Sequence, residues 1–207
     1  RSFSKNTSLD LDKALAELKS KEISKLILDL RNNPGGLLNQ AVEVTDRFLN
    51  RENLIVYTKG RSDEQNMRFT SHDKVAGVSY PLIILVNGGS ASASEIVAGA
   101  LQDLNRAIIV GTPTFGKGSV QTIIPLSDGS ALRLTTARYY TPSGRVIQEN
   151  GIEPDITIER QVPEEVGKAE KEKEPEEKTR LRRFLREKDL KKHLKGKSSI
   201  GGAVEEE

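Results

Sequence analysis

The stretch from Leu82 to Gln121 constrains the fold more than any other part of the chain. It opens with an apolar, largely β-branched run, Leu82-Ile83-Ile84-Leu85-Val86, which stops at Asn87-Gly88-Gly89. A turn of small residues, Ser90-Ala91-Ser92-Ala93-Ser94, then starts a helical pattern, and a second apolar run, Ala107-Ile108-Ile109-Val110, follows it. Short β-branched runs bounded by turn residues and separated by one helix read as parallel strands joined by a crossover. A glycine loop carrying Lys117 comes after the second run. A serine and a lysine thus each stand just beyond the end of a buried strand, where open α/β sheets place their chemistry.

The flanking segments continue the alternation. Leu11, Ala14, Leu15 and Leu18 share one helix face over Leu9–Leu18. Lys25–Leu30 reads as a buried strand and Arg31-Asn32-Asn33-Pro34-Gly35-Gly36 as its turn. A helix over Leu37–Leu49 and a strand over Leu54–Thr58 follow, then a polar loop or hairpin over Lys59–Gly77. The expected class is α/β with a largely parallel sheet. Val120–Leu126 and Ala131–Tyr140, joined at Asp128-Gly129, predict a β-hairpin, and Pro154–Ile158 a last extended segment. Beyond Pro163 the chain turns Lys/Glu-rich, and Leu181, Phe184, Leu185, Leu190 and Leu194 suit one weakly amphipathic helix with disordered ends. The organisation expected is a core over residues 1–160 and a charged, partly helical or disordered extension over 161–207. The start at Arg1, not methionine, reads as that of a fragment.

Composition excludes several chemistries. Without cysteine there is no thiolate catalysis and no cysteine metal site. His72 and His193 are the only histidines and lie far apart, which argues against a Ser-His-Asp triad and a histidine metal cluster. No metal or cofactor is expected. A net charge of +2 from interspersed acids and bases gives no nucleic-acid footprint.

Two readings of Ser92 compete. Ser92-Ala93-Ser94-Glu95 fits the S-x-x-E capping box of a helix start. A serine there also has the next backbone N–H groups and the helix dipole beside it, which suits stabilisation of an oxyanion. Lys117 lies in Gly111–Lys117, which fits G-x-x-x-x-G-K, the start of a phosphate-binding loop. Gly118 then stands where Ser or Thr must hold magnesium, and the strand-like Val120–Ile124 replaces the required helix. Nucleotide binding fails on both counts. The remaining reading of Lys117, apart from a solvated turn residue, is a base for Ser92, since burial disfavours a lysine's charged form. Gln121 suits an orienting partner for the amine, and the Asn32–Gly36 turn suits a second oxyanion donor or an ordinary turn.

Five ordered segments resemble the carboxyl-terminal processing (tail-specific) serine peptidases. They are Leu28–Gly36, Ser90–Glu95, Phe115–Gln121, Tyr139–Arg145 and Gly151–Ile156. The resemblance implies a crotonase-like (ClpP/crotonase) α/β core, with Ser92 as nucleophile, Lys117 as general base and Gln121 orienting it. It implies oxyanion donors at Ala93 N–H and Gly35 N–H, and reads Asp103 as structural. It further implies protein or peptide C-termini as substrates, homo-oligomeric assembly, an upstream PDZ domain, and a periplasmic or otherwise extracytoplasmic, membrane-associated location. The first strands of the core would precede Arg1. The competing readings are an inactive binding or scaffold domain of the same fold, and crotonase-type acyl-CoA chemistry, for which the sequence shows no nucleotide site.

Overall fold

The computed structural model describes residues 2–72, 80–159 and 186–190. Its elements in order are α1 (Thr7–Ser20), β1 (Leu26–Asp29), α2 (Leu38–Asp46), β2 (Leu54–Gly60), β3 (Arg68–Thr70), β4 (Leu82–Val86), α3 (Ala93–Asp103), β5 (Ile108–Gly111), β6 (Ser119–Pro125), β7 (Ala131–Tyr140) and β8 (Ile156–Thr157). Single 3-10 turns occupy Asp63–Gln65 and Glu187–Asp189. The polar stretch after Thr58 resolves into a hairpin, because β2 runs on to Gly60 and pairs with β3. Of the C-terminal apolar positions read as one helix, only Leu190 lies within the described residues.

The strands form two sheets. One is parallel throughout, in the order β1-β4-β5-β8, and the other antiparallel, in the order β3-β2-β7-β6. The crossover read from the sequence is therefore real: β4 and β5 are adjacent and parallel, with α3 between them in the chain. Leu82, Ile84, Val86 and Ile109 line the inner face of the parallel sheet, and Phe48, Ile55, Val56, Ile96 and Leu101 complete the same core. Residues Ala93 to Leu101 of α3 are all buried, so this helix has no solvent face over two and a half turns and its start is fixed by packing on every side.

The outer face of the parallel sheet differs from expectation. Ile27, Ile83 and Ile108 stand in one register row, and Ile27 is 62% and Ile108 49% exposed. β1 and β5 are thus buried on one face only, although parallel sheets are ordinarily covered on both. No described element covers this row. Because Ile27 contributes little burial, Ile27→Thr should change stability by no more than about 0.5 kcal/mol. Ile84→Ala in the next column should cost about 2–5 kcal/mol. Thermal melts of the two variants check the contrast.

Candidate active site

The turn between β4 and α3 places Ser92 at the helix start with φ 55° and ψ −113°, a conformation a non-glycine residue adopts only under constraint. Ser92 is half-buried while Ala91, Ala93 and Ser94 are buried, so the nucleophile candidate alone of these reaches solvent. The constraint has named sources. Ser90 Oγ donates to the Leu30 carbonyl at 2.8 Å, Ala91 N–H to the Asn33 carbonyl at 3.0 Å, and Ser94 Oγ to that carbonyl at 2.9 Å. Asn87 Nδ2 donates to Asn32 Oδ1, and Asn32 N–H to Asn87 Oδ1. The turn after β1 and the turn after β4 are laced into one unit.

Gly35, in the first of these turns, has φ +89°, and a Cβ there would lie 2.7 Å from Ala93 N and 2.9 Å from Ser92 Cβ. Only glycine fits at that approach. Ala93 N–H has no acceptor among the described residues, as an oxyanion donor requires. Gly35 N–H, by contrast, donates to Asn33 Oδ1 at 3.0 Å. Gly36 N–H has no acceptor among the described residues, and since the Gly35 carbonyl accepts Phe3 N–H, it points away from Phe3 across a trans peptide.

One buried carboxylate joins the serine turn to the lysine loop. Glu95 is fully buried, and its Oε2 accepts Ser92 N–H at 2.7 Å and Lys117 N–H at 2.9 Å. Its Oε1 accepts the Thr114 hydroxyl at 2.6 Å and Gly116 N–H at 2.7 Å. The backbones of Ser92 and Lys117 thus meet at one oxygen atom. Burial pushes the Glu95 carboxyl up to about 7, against these four donors, which pull it down. Lys117 itself is half-buried.

Gln121 goes elsewhere. Its Nε2 donates to Thr135 Oγ1 at 2.6 Å and its Oε1 accepts Arg133 Nε at 3.2 Å, so its amide is committed to the hairpin. A register shift between Val120 and Gln121 pairs Gln121 with Thr135 on the outer part of the ribbon. Asp103 accepts Ser143 N–H at 2.8 Å and pairs with Arg145, tying the loop after β7 to the end of α3. Burial raises the Asp103 carboxyl, but hydrogen bonds from Thr141 and Ser143 and the charge of Arg145 together hold it below its ordinary value. A cleft of about 620 Å³ lined by Arg145, Glu149, Asn150, Glu153, Arg186 and Lys188, among others, involves none of the candidate catalytic residues. Among the described residues no cluster of His, Cys, Asp or Glu is placed to hold a metal ion, and no helix is long and apolar enough to cross a membrane.

Peptidase family S41 matches residues 1–158. The chain belongs to that family. It is 50% identical over 199 residues to the carboxy-terminal-processing protease of Bartonella bacilliformis, covering 94% of this chain and 43% of that protein. It is 45% identical over 160 residues to the chloroplastic carboxyl-terminal-processing peptidase 3 of Arabidopsis thaliana, covering 74% and 30%. Among solved structures, the photosystem II D1 C-terminal processing protease superposes with a TM-score of 0.69 at 39% identity, covering 76% of this chain and 40% of that one. The crotonase-like α/β core expected from the sequence agrees with this S41 membership. The chain spans less than half the length of these relatives.

Within this S41 core, Glu95 is the residue that sequence reasoning undervalued, since the capping box accounts for only one of its four bonds. The available signal was a carboxylate on a helix of small and apolar residues, a position that burial makes costly unless every lone pair is used.

Two outcomes follow from this geometry. The carboxyl of Glu95 is raised in the folded state, so its contribution to stability is greatest below about 4.5 and falls by about 3 kcal/mol as pH rises to about 7. Glu95→Gln removes that dependence and sets an NH₂ against backbone donors. It should therefore be the less stable chain, with a gap in melting temperature to the wild type that narrows from pH 4.5 to 7.5. Ser92→Gly relieves the positive φ and should stabilise the fold by up to about 1 kcal/mol, whereas Ser92→Ala should leave the melting temperature close to wild type.

Proposed function

We propose that this chain is the catalytic core of a serine endopeptidase that uses a Ser/Lys dyad to cleave proteins near their C-termini. The single observation that supports it most is the Glu95 bridge, which brings a strained, solvent-reaching serine and a half-buried lysine to one carboxylate oxygen. The S41 relatives at 40–50% identity named as carboxyl-terminal-processing proteases support the same reading.

In this mechanism Ser92 Oγ attacks the scissile carbonyl carbon while Lys117 Nζ, as the neutral amine, accepts the hydroxyl proton. The carbonyl oxygen, now an oxyanion, is received by Ala93 N–H and by an N–H of the Gly35-Gly36 turn. Gly35 N–H serves once it leaves Asn33 Oδ1, whereas Gly36 N–H is not so engaged. Lys117 then returns the proton to the leaving amine, and water repeats the cycle on the acyl-enzyme. Gln121 orients Lys117 only after exchanging its present partners, Thr135 and Arg133. No metal or cofactor takes part. The parent protein carries a PDZ domain upstream, assembles as a homo-oligomer and acts outside the cytoplasm at a membrane, a placement in keeping with bacterial and chloroplast relatives.

The test is cleavage of an unfolded protein with an apolar C-terminus. Ser92→Ala and Lys117→Ala should each lower the rate by at least about a thousandfold. A Lys117→Arg variant with an unchanged pH–rate profile would remove Lys117 from the role of base. Failure of Ser92 to react with a fluorophosphonate in the folded chain would favour the inactive scaffold instead.

A further inference from the structure

The loop carrying Lys117 has three consecutive backbone N–H groups, and each is received by a buried side chain. Gly116 and Lys117 donate to Glu95, and Gly118 donates to Gln148 Oε1 at 3.0 Å. Gln148 is fully buried, although amides of its size are mostly exposed. The approach is close: a Cβ on Gly118 would lie 2.3 Å from Gln148 N, and Glu149 N–H donates to the Gly116 carbonyl at 2.8 Å.

The other end of the Gln148 amide leads away from the core. Its Nε2 donates to Glu187 Oε1 at 3.3 Å, and Glu187 N–H donates to the Phe115 carbonyl at 2.8 Å. Glu187 therefore touches the lysine loop twice, once directly at Phe115 and once through Gln148 at Gly118. The short turn that carries it is anchored beside the loop by Arg186, whose guanidinium donates to the Asn150 carbonyl and lies 3.3 Å from Glu153 Oε1. Arg186 and Glu187 stand far along the chain from Phe115, in the segment read from sequence as a solvated extension.

We propose that Gln148 is a positioning residue for Lys117 and that the Arg186–Leu190 turn is a strap that fixes it there through Glu187. The inference rests on Lys117 acting as the base. Physically, the strap adds a hold at Phe115 and Gly118 to those that Glu95 and Glu149 N–H supply, so that the amine keeps its distance from Ser92 through the proton transfer. A sub-ångström drift of such a group is enough to slow the reaction without altering how substrate binds.

The decisive experiment separates the strap from the loop and then rejoins them in the full chain. Gln148→Glu keeps an oxygen for Gly118 N–H but sets a carboxylate against Glu187, and Glu187→Ala removes the partner. Combining Gln148→Glu with Glu187→Gln re-forms the bond with donor and acceptor exchanged. Each single change should lower kcat about tenfold with KM unchanged, and the exchanged pair should recover to within about threefold of wild type. Amide hydrogen exchange at Lys117 and Gly118 should quicken in both single variants and slow again in the exchanged pair. Unchanged exchange in the single variants overturns the strap, whatever Lys117 does. A lowered kcat that the exchanged pair fails to restore overturns the coupling. Failure of the base assignment looks different: Ser92 would still be acylated in Lys117→Ala, while amide exchange would still respond to Glu187→Ala.

Discussion

Everything at this site depends on the burial of one carboxylate. Glu95 sits in the first turn of a helix with no solvent face, where an unpartnered charge would be prohibitive. Four donors on two segments make it tolerable, and in doing so they fix those segments relative to one another. Thr114 extends the arrangement, because its hydroxyl donates to Glu95 while accepting Ile152 N–H at 2.7 Å. The loop after β5, the start of α3 and the segment before β8 are thereby tied together through polar atoms within an otherwise apolar core.

The two sheets supply the platform for this bridge. The serine turn, the Asn32–Gly36 turn and the lysine loop all follow the carboxyl ends of β4, β1 and β5, adjacent strands of the parallel sheet. Strand β6 of the antiparallel sheet begins where the lysine loop ends, at Ser119, so Lys117 lies on the chain segment that passes from one sheet to the other. Strain at Ser92 persists because its neighbours over-determine it: Ser90, Ala91 and Ser94 each donate to the turn after β1. Energy spent on that backbone is returned as a hydroxyl presented to solvent from a buried helix start.

Much of this was legible in the sequence because local pattern and tertiary role coincide. Leu82–Val86 and Ile108–Val110 are strands by β-branching and lie side by side because a helix-length crossover joins them. Ser92 and Lys117 were visible because small residues and glycines mark the turns that follow those strands. Three things were hidden. The exposed row through Ile27 and Ile108 was unreadable, since an apolar strand gives the same pattern whether one face is covered or two. The commitment of Gln121 to Thr135 depends on a one-residue register shift that no period-two pattern reveals. The role of Glu95 was masked by its match to a capping box, a local motif whose Ser92–Glu95 bond it does make, alongside three longer-range ones.

The resemblance of Gly111–Lys117 to a phosphate-binding loop has a physical meaning even though nucleotide binding fails. In such a loop, consecutive N–H groups converge on an anion. Gly116 and Lys117 N–H do converge here, and the group they meet is the protein's own Glu95 carboxyl. With the concavity filled from inside, no phosphate can enter it. A phosphate loop uses its backbone to hold substrate and its lysine to neutralise charge. Here the backbone is consumed in holding the loop itself, at Glu95 on one side and Gln148 on the other, and the lysine side chain takes no part in that anchoring.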